Sequence, residues 1–362
     1  MNEKLFSIVD QFAISSVVAE IKPLGEGLIN DTLLVRTAQT EAPDYVLQRV
    51  NTNVFPDVDM LMNNIRAVTG HIRQKLQMRG EDDIDRKVLT FVPLKADATK
   101  LYTTVDGEPW RLMVFIKDAI TKQAVNPESS EAAGEAFGEF QAMLADIPVQ
   151  LGETIKDFHN MEFRLEQLKE VIALDPVGRV ATVQPIIDEL LGYSYEMTVA
   201  ERLGREGKLP KRICHCDTKV NNMMFDKQDR VLCVIDLDTV MPNFIFSDYG
   251  DFLRTAANFT AEDDPDLSHV GFNMEIFRAF TRGYLRSAKS FLTPLETEML
   301  PFAATLFPYM QAVRFLWDYL SGDKYWKCKY PEHNLDRVRN QLALFRSAYA
   351  LKPEMAAFIA EQ

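Results

Sequence analysis

The chain has 362 residues and a net charge of −13. An acidic chain is poorly suited to neutralising the phosphates of nucleic acid or to lying on an anionic membrane, so we expect neither partner. With 47% hydrophobic and 26% charged residues, the composition is that of a globular protein, and the length allows two lobes or one large domain.

The targeting and redox features of the sequence favour a cytoplasmic protein. The first residues lack the apolar core and the cleavage site of a secretory signal, and no apolar run is long enough for a transmembrane helix. Four cysteines are too few for a disulfide framework in a chain of this length. We therefore expect reduced and mostly buried thiols.

The first third of the chain predicts antiparallel β-structure with one long helix. Apolar spacing predicts one or two short helices within 5–19 and a helix over 58–78. Asp106-Gly107 predicts a tight turn between two of the strands. Runs with strand character lie at 21–24, 33–37, 45–50, 88–92, 100–104 and 110–116.

After residue 116 the pattern becomes mainly helical. Helices are predicted at 129–146, 162–174, 184–205, 273–291, 295–320 and 334–350. Strand character returns at 212–216, 223–225 and 231–235. We therefore predict an α+β protein with a β-rich N-terminal lobe (1–117) and a helical C-terminal lobe (118–362).

The residues that carry chemistry lie in two neighbouring segments. His215, Asp217 and Asn222 fit the pattern H-x-D-x-x-x-x-N, and fourteen residues after Asn222 comes Asp236, followed by Asp238. Phosphoryl transfer needs a carboxylate that positions the attacking hydroxyl, and an amide oxygen and a second carboxylate that hold Mg²⁺. Each residue alone could be a turn or cap residue. Together they favour a phosphotransferase.

These motifs resemble those of the aminoglycoside phosphotransferase and choline kinase superfamily, which has a protein-kinase-like fold. Within the superfamily, the likeness is strongest to the N-acetylhexosamine 1-kinases. One departure is Asn243, where those kinases usually have Gly; Asn tolerates positive φ better than most residues. The resemblance is carried by the segments 158–160, 215–225, 234–242, 247–254, 314–323 and 333–337.

The resemblance implies roles for the central residues. Asp217 would be the catalytic base, with Lys219 as a second catalytic residue. Asn222 and Asp236 would be Mg²⁺ ligands. Asp238 would be another carboxylate at the metal site, a ligand of a second metal, or a sugar contact.

The N-terminal lobe is expected to bind the nucleotide, with ATP as the default. The loop that contains Gly25, Gly27, Asn30 and Thr32 would cover the phosphates, although most G-x-G pairs are simple turns.

The third strand should present a cation to the phosphates, and strand alternation sends Gln48 and Arg49 to opposite faces. We choose Arg49 for its charge, with Asp57 or Asp59 as its acidic partner. Lys117 lies at the segment expected to bind the purine through backbone groups.

The substrate residues implied by the resemblance are His159, Asn160 and Arg314. The alternatives are a helix cap for Asn160 and a salt bridge between Arg314 and Asp318. Asp248 is expected to cap a helix and to orient the loop that contains Asp217. Asp251 and Arg254 are expected to be structural. The aromatic residues Trp317, Tyr319, Tyr325, Trp326 and Tyr330 are expected to be core more than a sugar-stacking surface.

The sequence thus predicts a kinase that uses ATP and Mg²⁺ and phosphorylates the anomeric hydroxyl of an N-acetylhexosamine or related hexose to a sugar 1-phosphate. A kinase for an aminoglycoside or a choline-type amino alcohol and an inactive nucleotide-binding scaffold are the alternatives. The expected partner is a small-molecule sugar, and the oligomeric state is open, with a monomer as the expectation.

Overall fold

The structure, a computed structural model, describes residues 2–25, 30–122, 124–228 and 230–362. The described strands are β1 (Val18–Pro23), β2 (Asp31–Thr37), β3 (Tyr45–Arg49), β4 (Tyr102–Val105), β5 (Glu108–Val114), β6 (Arg212–Cys214), β7 (Met223–Phe225), β8 (Val231–Val234) and β9 (Met241–Asn243).

The described α-helices are α1 (Asn2–Val9), α2 (Val58–Met78), α3 (Ile84–Lys87), α4 (Pro127–Leu144), α5 (Met161–Leu174), α6 (Gln184–Gly192), α7 (Ser194–Met197), α8 (Val199–Arg205), α9 (Phe246–Ala256), α10 (Met274–Ala288), α11 (Pro294–Glu298), α12 (Leu300–Ser321), α13 (His333–Ala350) and α14 (Lys352–Ala360). The predicted helix over 184–205 is wrong as a single element, because three short helices occupy it.

The chain divides into two compact units. The first, here the sheet unit, comprises Met1–Ile120, Asp146–Lys156 and Met224–Met241, and the second, here the helical unit, holds the rest. The sheet unit therefore includes two segments that lie beyond residue 117. One of them carries Asp236 and Asp238, which lie two and four residues after the end of β8.

The sheet unit is built on five antiparallel strands in the order β1-β2-β3-β5-β4. Asp106 and Gly107 have φ values of 55° and 78° and join β4 to β5, since a two-residue hairpin turn with both φ positive matches the twist of the strands. The predicted strand over 88–92 is wrong: Phe91 forms only an isolated bridge with Met113.

Apolar residues from α1 and from the inner strands form the core of the sheet unit. Ile8, Val9 and Phe12 pack against Val35 and Leu112, all with no exposed surface. The long helix α2 has the predicted bounds, and its side chains at helical spacing are buried as predicted. Asp57 caps α2 by accepting a bond from Met60 N at 2.8 Å.

In the helical unit, α4 and α10 pack so closely that glycine is required at their contact. A Cβ atom on Gly283 would lie 1.9 Å from the carbonyl oxygen of Glu131, and one on Gly134 would lie 2.1 Å from that of Phe280. The longest helix, α12, is nearly all buried. Within the described ranges, no helix has both the length and the apolar character needed to cross a bilayer.

Candidate functional site

The loop between β6 and β7 brings three of the predicted residues together. The Asn222 amide Nδ2 donates to the Asp217 backbone oxygen at 2.8 Å and to its carboxylate Oδ2 at 2.9 Å. Lys219 Nζ lies 3.0 Å from the same Oδ2. Because the Asn222 nitrogen is turned toward Asp217, its amide oxygen is the atom left to bind a cation. Asp217 itself is partly exposed to solvent.

A buried carboxylate on α9 holds this loop in shape. Asp248 accepts bonds from the backbone nitrogens of His215 at 2.9 Å and Cys216 at 2.8 Å, and from Gln141 Nε2 at 2.8 Å. Burial raises the pKa of the Asp248 carboxyl, while the donors and nearby His215 act in the opposite direction. The prediction that Asp248 orients the loop is confirmed. The predicted cap is wrong, because α9 begins at Phe246 with Ile245 at its cap position.

The backbone of the loop is unusual at Cys216, which has a φ of 62° without being glycine. The bond that its backbone nitrogen donates to Asp248 fixes that conformation. His215 is fully buried, and its Nδ1 accepts a bond from the Asp217 backbone nitrogen at 3.3 Å. The imidazole thus orients the loop from within. Asn243, in contrast, lies in β9 and does not have a positive φ.

In the sheet unit, Asp238 is the centre of a buried polar network. Its carboxylate accepts bonds from Arg111 Nη1 at 2.5 Å and Nη2 at 2.9 Å, and from Asn30 Nδ2 at 2.7 Å. Gln48 Oε1 accepts two further bonds from Arg111. Only 2% of Asp238 is exposed, and both of its oxygens are occupied. Its surroundings therefore suit an anchor of the segment after β8 better than a metal ligand.

Asp236 differs from Asp238 in its exposure to solvent. It is exposed and has a left-handed φ of 61° two residues after the end of β8. Carboxylate and amide oxygens are the ligands that Mg²⁺ prefers, so an exposed Asp236 carboxylate and the Asn222 amide oxygen fit the predicted metal in chemical type. The metal roles of Asn222, Asp236 and Asp238 stay predictions.

Arg111 is the main residue of this network that the sequence interpretation missed. The available signal was a charged residue in the middle of a strand whose neighbours are otherwise apolar. Such a residue is buried only when it is paired, and the pattern does not name the partner. Arg111 is 2% exposed.

Gln48 and Arg49 lie on opposite faces of β3, as strand alternation requires. Gln48 faces the buried network, whereas Arg49 forms ion pairs with Asp31 and Glu108. The predicted acidic partners of Arg49 are wrong. Asp57 caps α2, and the other candidate, Asp59, accepts a bond from the Tyr102 hydroxyl at 2.7 Å. The phosphate-binding role of Arg49 stays a prediction.

The other residues predicted to bind the nucleotide do not share one set of contacts. Gly25 has a φ of 68°, and Gly27 lies outside the described residues. Asn30 belongs to the Asp238 network, while Thr32 Oγ1 accepts a bond from Gln48 Nε2 at 3.1 Å.

In the segment predicted to bind the purine, two backbone carbonyl groups already accept hydrogen bonds from a side chain. The carbonyl oxygens of Lys117 and Asp118 accept bonds from Arg86 Nη2 at 3.1 Å and 3.4 Å. The Lys117 side chain is exposed and donates to the Ala42 carbonyl at 3.1 Å. The nucleotide role of Lys117 stays a prediction.

Two of the proposed substrate residues precede α5. Asn160 caps that helix by accepting a bond from Phe163 N at 3.2 Å, which was the structural alternative. His159 is 8% exposed, and its Nδ1 has no partner among the described residues. Its ring stacks on Phe158 at 4.3 Å and meets the edge of Phe307 at 5.0 Å.

The predicted salt bridge between Arg314 and Asp318 is wrong. The Asp318 carboxylate instead accepts bonds from backbone nitrogens of Lys324, Tyr325 and Trp326 and from the Asn334 side chain. Arg314 donates to Gln311 Oε1 at 3.1 Å, and its guanidinium lies against the rings of Phe158 and Trp326. The substrate roles of His159, Asn160 and Arg314 stay predictions.

Most of the sequence motifs described above lie in a part of the chain that matches a known protein family. Residues 20–287, more than half of the chain, match the sequence model described as the phosphotransferase enzyme family. That match includes the loop with Asp217, the network around Asp238 and the helix α9.

Solved structures of low sequence identity share the fold. An aminoglycoside phosphotransferase from Alicyclobacillus acidocaldarius aligns with a TM-score of 0.62 at 12% identity, covering 98% of this chain and 96% of its own. A choline kinase from Cryptosporidium parvum aligns with a TM-score of 0.61 at 12% identity, with 99% and 100% coverage. Spectinomycin phosphotransferase, solved with ADP and spectinomycin, aligns with a TM-score of 0.54 at 12% identity, and the alignment covers 99% of this chain and 98% of its own. The predicted protein-kinase-like fold is confirmed.

Proposed function

Because the chain belongs to the phosphotransferase enzyme family, we propose that it is an ATP- and Mg²⁺-dependent kinase that phosphorylates the anomeric hydroxyl of an N-acetylhexosamine or related hexose. The observation that carries the proposal is the group formed by Asp217, Lys219 and Asn222, in which Asn222 Nδ2 and Lys219 Nζ lie 2.9 Å and 3.0 Å from the same carboxylate oxygen of Asp217. ADP in the complex of spectinomycin phosphotransferase supports ATP as the phosphate donor.

The proposed reaction is a direct transfer. The acceptor oxygen forms a bond to the γ-phosphorus, and the bond from that phosphorus to the oxygen bridging it to the β-phosphate breaks, which releases ADP. Asp217 orients the acceptor hydroxyl and takes its proton. Mg²⁺, for which Asn222 and Asp236 are the proposed ligands, would neutralise the phosphate charge. Lys219 holds the Asp217 carboxylate in place and adds a positive charge beside it.

The anomeric hydroxyl is the preferred acceptor for a chemical reason. It is more acidic than the other hydroxyls of a hexose, so a carboxylate base together with alignment of the reactants can suffice for its transfer. The segments 158–160 and 314–323, which resemble those of N-acetylhexosamine 1-kinases, support the same choice.

Product analysis tests the proposal. The protein is incubated with Mg·ATP and a panel of hexoses, N-acetylhexosamines, choline and an aminoglycoside, ADP release is measured, and the phosphorylated position is determined by phosphorus NMR. We expect a sugar 1-phosphate, no turnover of the 1-O-methyl glycoside and continued turnover of the 6-deoxy sugar. Turnover of the methyl glycoside but not the 6-deoxy sugar would show a 6-kinase. Nucleotide binding without turnover of any acceptor would favour a scaffold.

A further inference from the structure

The segment that follows β8 is fixed on both sides of Asp236. Upstream, β8 pairs with β7 and ends two residues before Asp236. Downstream, a short 3₁₀ turn, Leu237–Thr239, is buried throughout. The turn is closed by a bond from the Val240 nitrogen to the Leu237 oxygen at 3.2 Å, and the Val240 oxygen accepts a bond from Asn64 Nδ2 of α2 at 3.1 Å. Asp236 is therefore an exposed residue between two fixed elements.

The backbone of Asp236 needs such support. Its φ of 61° and ψ of 59° lie in the left-handed region, which costs free energy for residues other than glycine, although aspartate adopts it more readily than most. A conformation of this kind persists where the surrounding structure fixes it. The direction of the Asp236 side chain therefore depends on the turn that follows it.

Arg111 on β5 is the side chain that fixes this turn. Its Nη1 and Nη2 donate to the two carboxylate oxygens of Asp238 at 2.5 Å and 2.9 Å. Such a bidentate pair fixes a carboxylate in direction as well as in position. Gln48 Oε1 accepts bonds from Nε of Arg111 at 3.0 Å and from its Nη2 at 2.8 Å, which holds the guanidinium in its plane. Both members of the ion pair are buried.

A further bond connects the turn to the beginning of β2. Asn30 Nδ2 donates to Asp238 Oδ2 at 2.7 Å, and Asn30 Oδ1 accepts a bond from the Asn51 nitrogen at 3.0 Å. Asn30 directly precedes β2, in the loop that the sequence predicts to cover the phosphates. Within the sheet unit, the network thus joins the segment predicted to bind Mg²⁺ to the loop predicted to bind the nucleotide.

The network also places a cation on a strand other than the predicted one. β3 turns Gln48 toward the network and pairs it with Arg111 in the register of the sheet, while Arg49 lies on the opposite face. The positive charge on the side of the sheet that contacts Asp238 is therefore supplied by β5. Because Arg111 is buried and donates to Asp238 and Gln48, it acts through these side chains and not by direct contact with a phosphate.

We infer that Arg111 is a positioning residue: by holding Asp238 it fixes the left-handed backbone of Asp236 and so sets the affinity of the metal site. The inference rests on the proposed function, because the Mg²⁺ role of Asp236 belongs to that proposal. Residues that orient metal ligands without touching the metal contribute about 10–100-fold to metal affinity. A purely structural ion pair would instead contribute to the free energy of unfolding alone.

Mg²⁺ binding curves with a fluorescent ATP analogue test the inference. For each variant, the Mg²⁺ concentration that gives half of the maximal analogue binding is measured, and a parallel measurement in EDTA gives the affinity without metal. Urea unfolding gives the free energy of unfolding of the same proteins. Asp236→Asn is the reference for the loss of a metal ligand.

Three variants separate positioning from stability. Arg111→Met should raise the half-maximal Mg²⁺ concentration about tenfold or more and also destabilise the protein, because the Asp238 charge stays buried and uncompensated. Combining Arg111→Met with Asp238→Leu removes both charges, so the free energy of unfolding should return toward that of the wild type while the Mg²⁺ concentration stays raised. Arg111→Lys keeps the charge but lacks the planar fork, so we expect an intermediate Mg²⁺ concentration.

The matched control is Arg73→Gln. Arg73 on α2 lies in the same unit and donates to Asp85 Oδ1 at 2.7 Å and to Thr90 Oγ1 at 2.6 Å. Its replacement removes the charge of one arginine, and with it an ion pair, from outside the network. We expect its Mg²⁺ binding curve to match that of the wild type.

The outcomes separate this inference from the proposed function. A wild-type Mg²⁺ curve in Arg111→Met, an equal shift in Arg73→Gln, or recovery of Mg²⁺ binding together with stability in the double variant would overturn the inference. If the methionine variants do not fold, a wild-type curve in Arg111→Lys would overturn it. An unchanged curve in Asp236→Asn would overturn it together with the metal role of Asp236. If the curves shift as expected but no sugar 1-phosphate forms, the proposed substrate is wrong and the inference stands.

Discussion

Two aspartates separated by one residue illustrate how strongly surroundings decide a side chain's role. Asp236 is exposed and lies two residues after the end of β8, whereas Asp238 is buried and accepts three hydrogen bonds from Arg111 and Asn30. A carboxylate whose oxygens are all bonded inside the protein contributes to the structure, while an accessible one can bind a cation. The two residues should therefore respond differently to the same substitution.

Replacing each aspartate with asparagine separates the two roles. Asp236→Asn should weaken Mg²⁺-dependent nucleotide binding and leave the free energy of unfolding nearly unchanged, because the side chain is exposed. Asp238→Asn should lower the free energy of unfolding by about 3 kcal/mol, since it leaves the charge of Arg111 buried and uncompensated. Mg²⁺ titrations with a fluorescent nucleotide and urea unfolding measure the two effects. If Asp236→Asn lowered the free energy of unfolding, and Asp238→Asn left that free energy unchanged but weakened Mg²⁺-dependent nucleotide binding, both assignments would be contradicted.

Asp217 is the residue whose loss should affect turnover alone. Asp217→Asn should reduce kcat by about 10²–10⁴-fold, the usual contribution of a general base, and leave Mg·ATP binding nearly intact because the proposed target of Asp217 is the acceptor hydroxyl. Stopped assays of ADP release give kcat, and nucleotide calorimetry gives the affinity. A variant with wild-type turnover would exclude Asp217 as the base.

At the scale of elements, the contact between α4 and α10 depends on glycine. These helices approach so closely that backbone atoms occupy the place of a side chain at Gly134, Gly138 and Gly283. The same approach fixes Gln141 of α4, which accepts a bond from Tyr284 of α10 at 2.6 Å and donates to Asp248. The Gln141 amide thus connects the packing of α4 and α10 to Asp248, which holds the loop that contains Asp217.

Two helical glycines give opposite predictions. Gly283→Ala should lower the free energy of unfolding by about 1–3 kcal/mol, because its Cβ would overlap the backbone of Glu131. Gly70→Ala in α2 should raise that free energy by about 0.5–1 kcal/mol, since nothing lies within 4 Å of the new atom and alanine favours a helix. Chemical denaturation of the two variants measures both. A Gly283→Ala protein as stable as the Gly70→Ala protein would refute the close contact.

Helix α2 shows which elements a sequence pattern predicts well. Its apolar stripe alone predicts the helix over 58–78, and the structure shows in addition that Asp57 caps its first turn. The segment 184–205 shows the opposite case. Its apolar pattern continues across two breaks between helices, at Tyr193 and Thr198, because each short helix still contributes buried apolar residues. Periodicity reports burial and does not report where the backbone turns.

At the scale of the whole molecule, one buried carboxyl couples folding to pH. Glu201 on α8 accepts a bond from the Met161 backbone nitrogen at 2.6 Å, and its Oε2 has no partner among the described residues. Burial, the largest cause, raises the pKa of Glu201 to about 6 from 4.5. Folding therefore favours the protonated form. The resulting stabilisation is fully present below pH 4.5 and is lost as the pH rises to about 6.

The variant Glu201→Gln, which cannot ionise, should expose this contribution. The free energy of unfolding of the wild type minus that of the variant should fall by about 2 kcal/mol between about pH 4 and about pH 7. Urea denaturation at several pH values measures this difference. The other titrating groups are the same in both proteins, so their contributions cancel. A difference that is independent of pH would show that Glu201 titrates normally in the folded protein.

The sequence alone predicted a phosphotransferase and the segment of the chain in which its candidate catalytic residues lie. Asp217, Lys219 and Asn222 lie within six consecutive residues, so the short loop that contains them brings them together in the structure. The tertiary structure decided which charges pair. Arg111 and Asp238 are 127 positions apart, and Asp248 reaches the loop from 32 and 33 positions away. Spacing along the chain records local conformation and burial, whereas the partner of a buried charge depends on which distant elements pack together. Arg314 therefore lies beside Phe158 instead of pairing with Asp318, because α12 packs against the segment before α5 and the backbone after α12 occupies the Asp318 carboxylate.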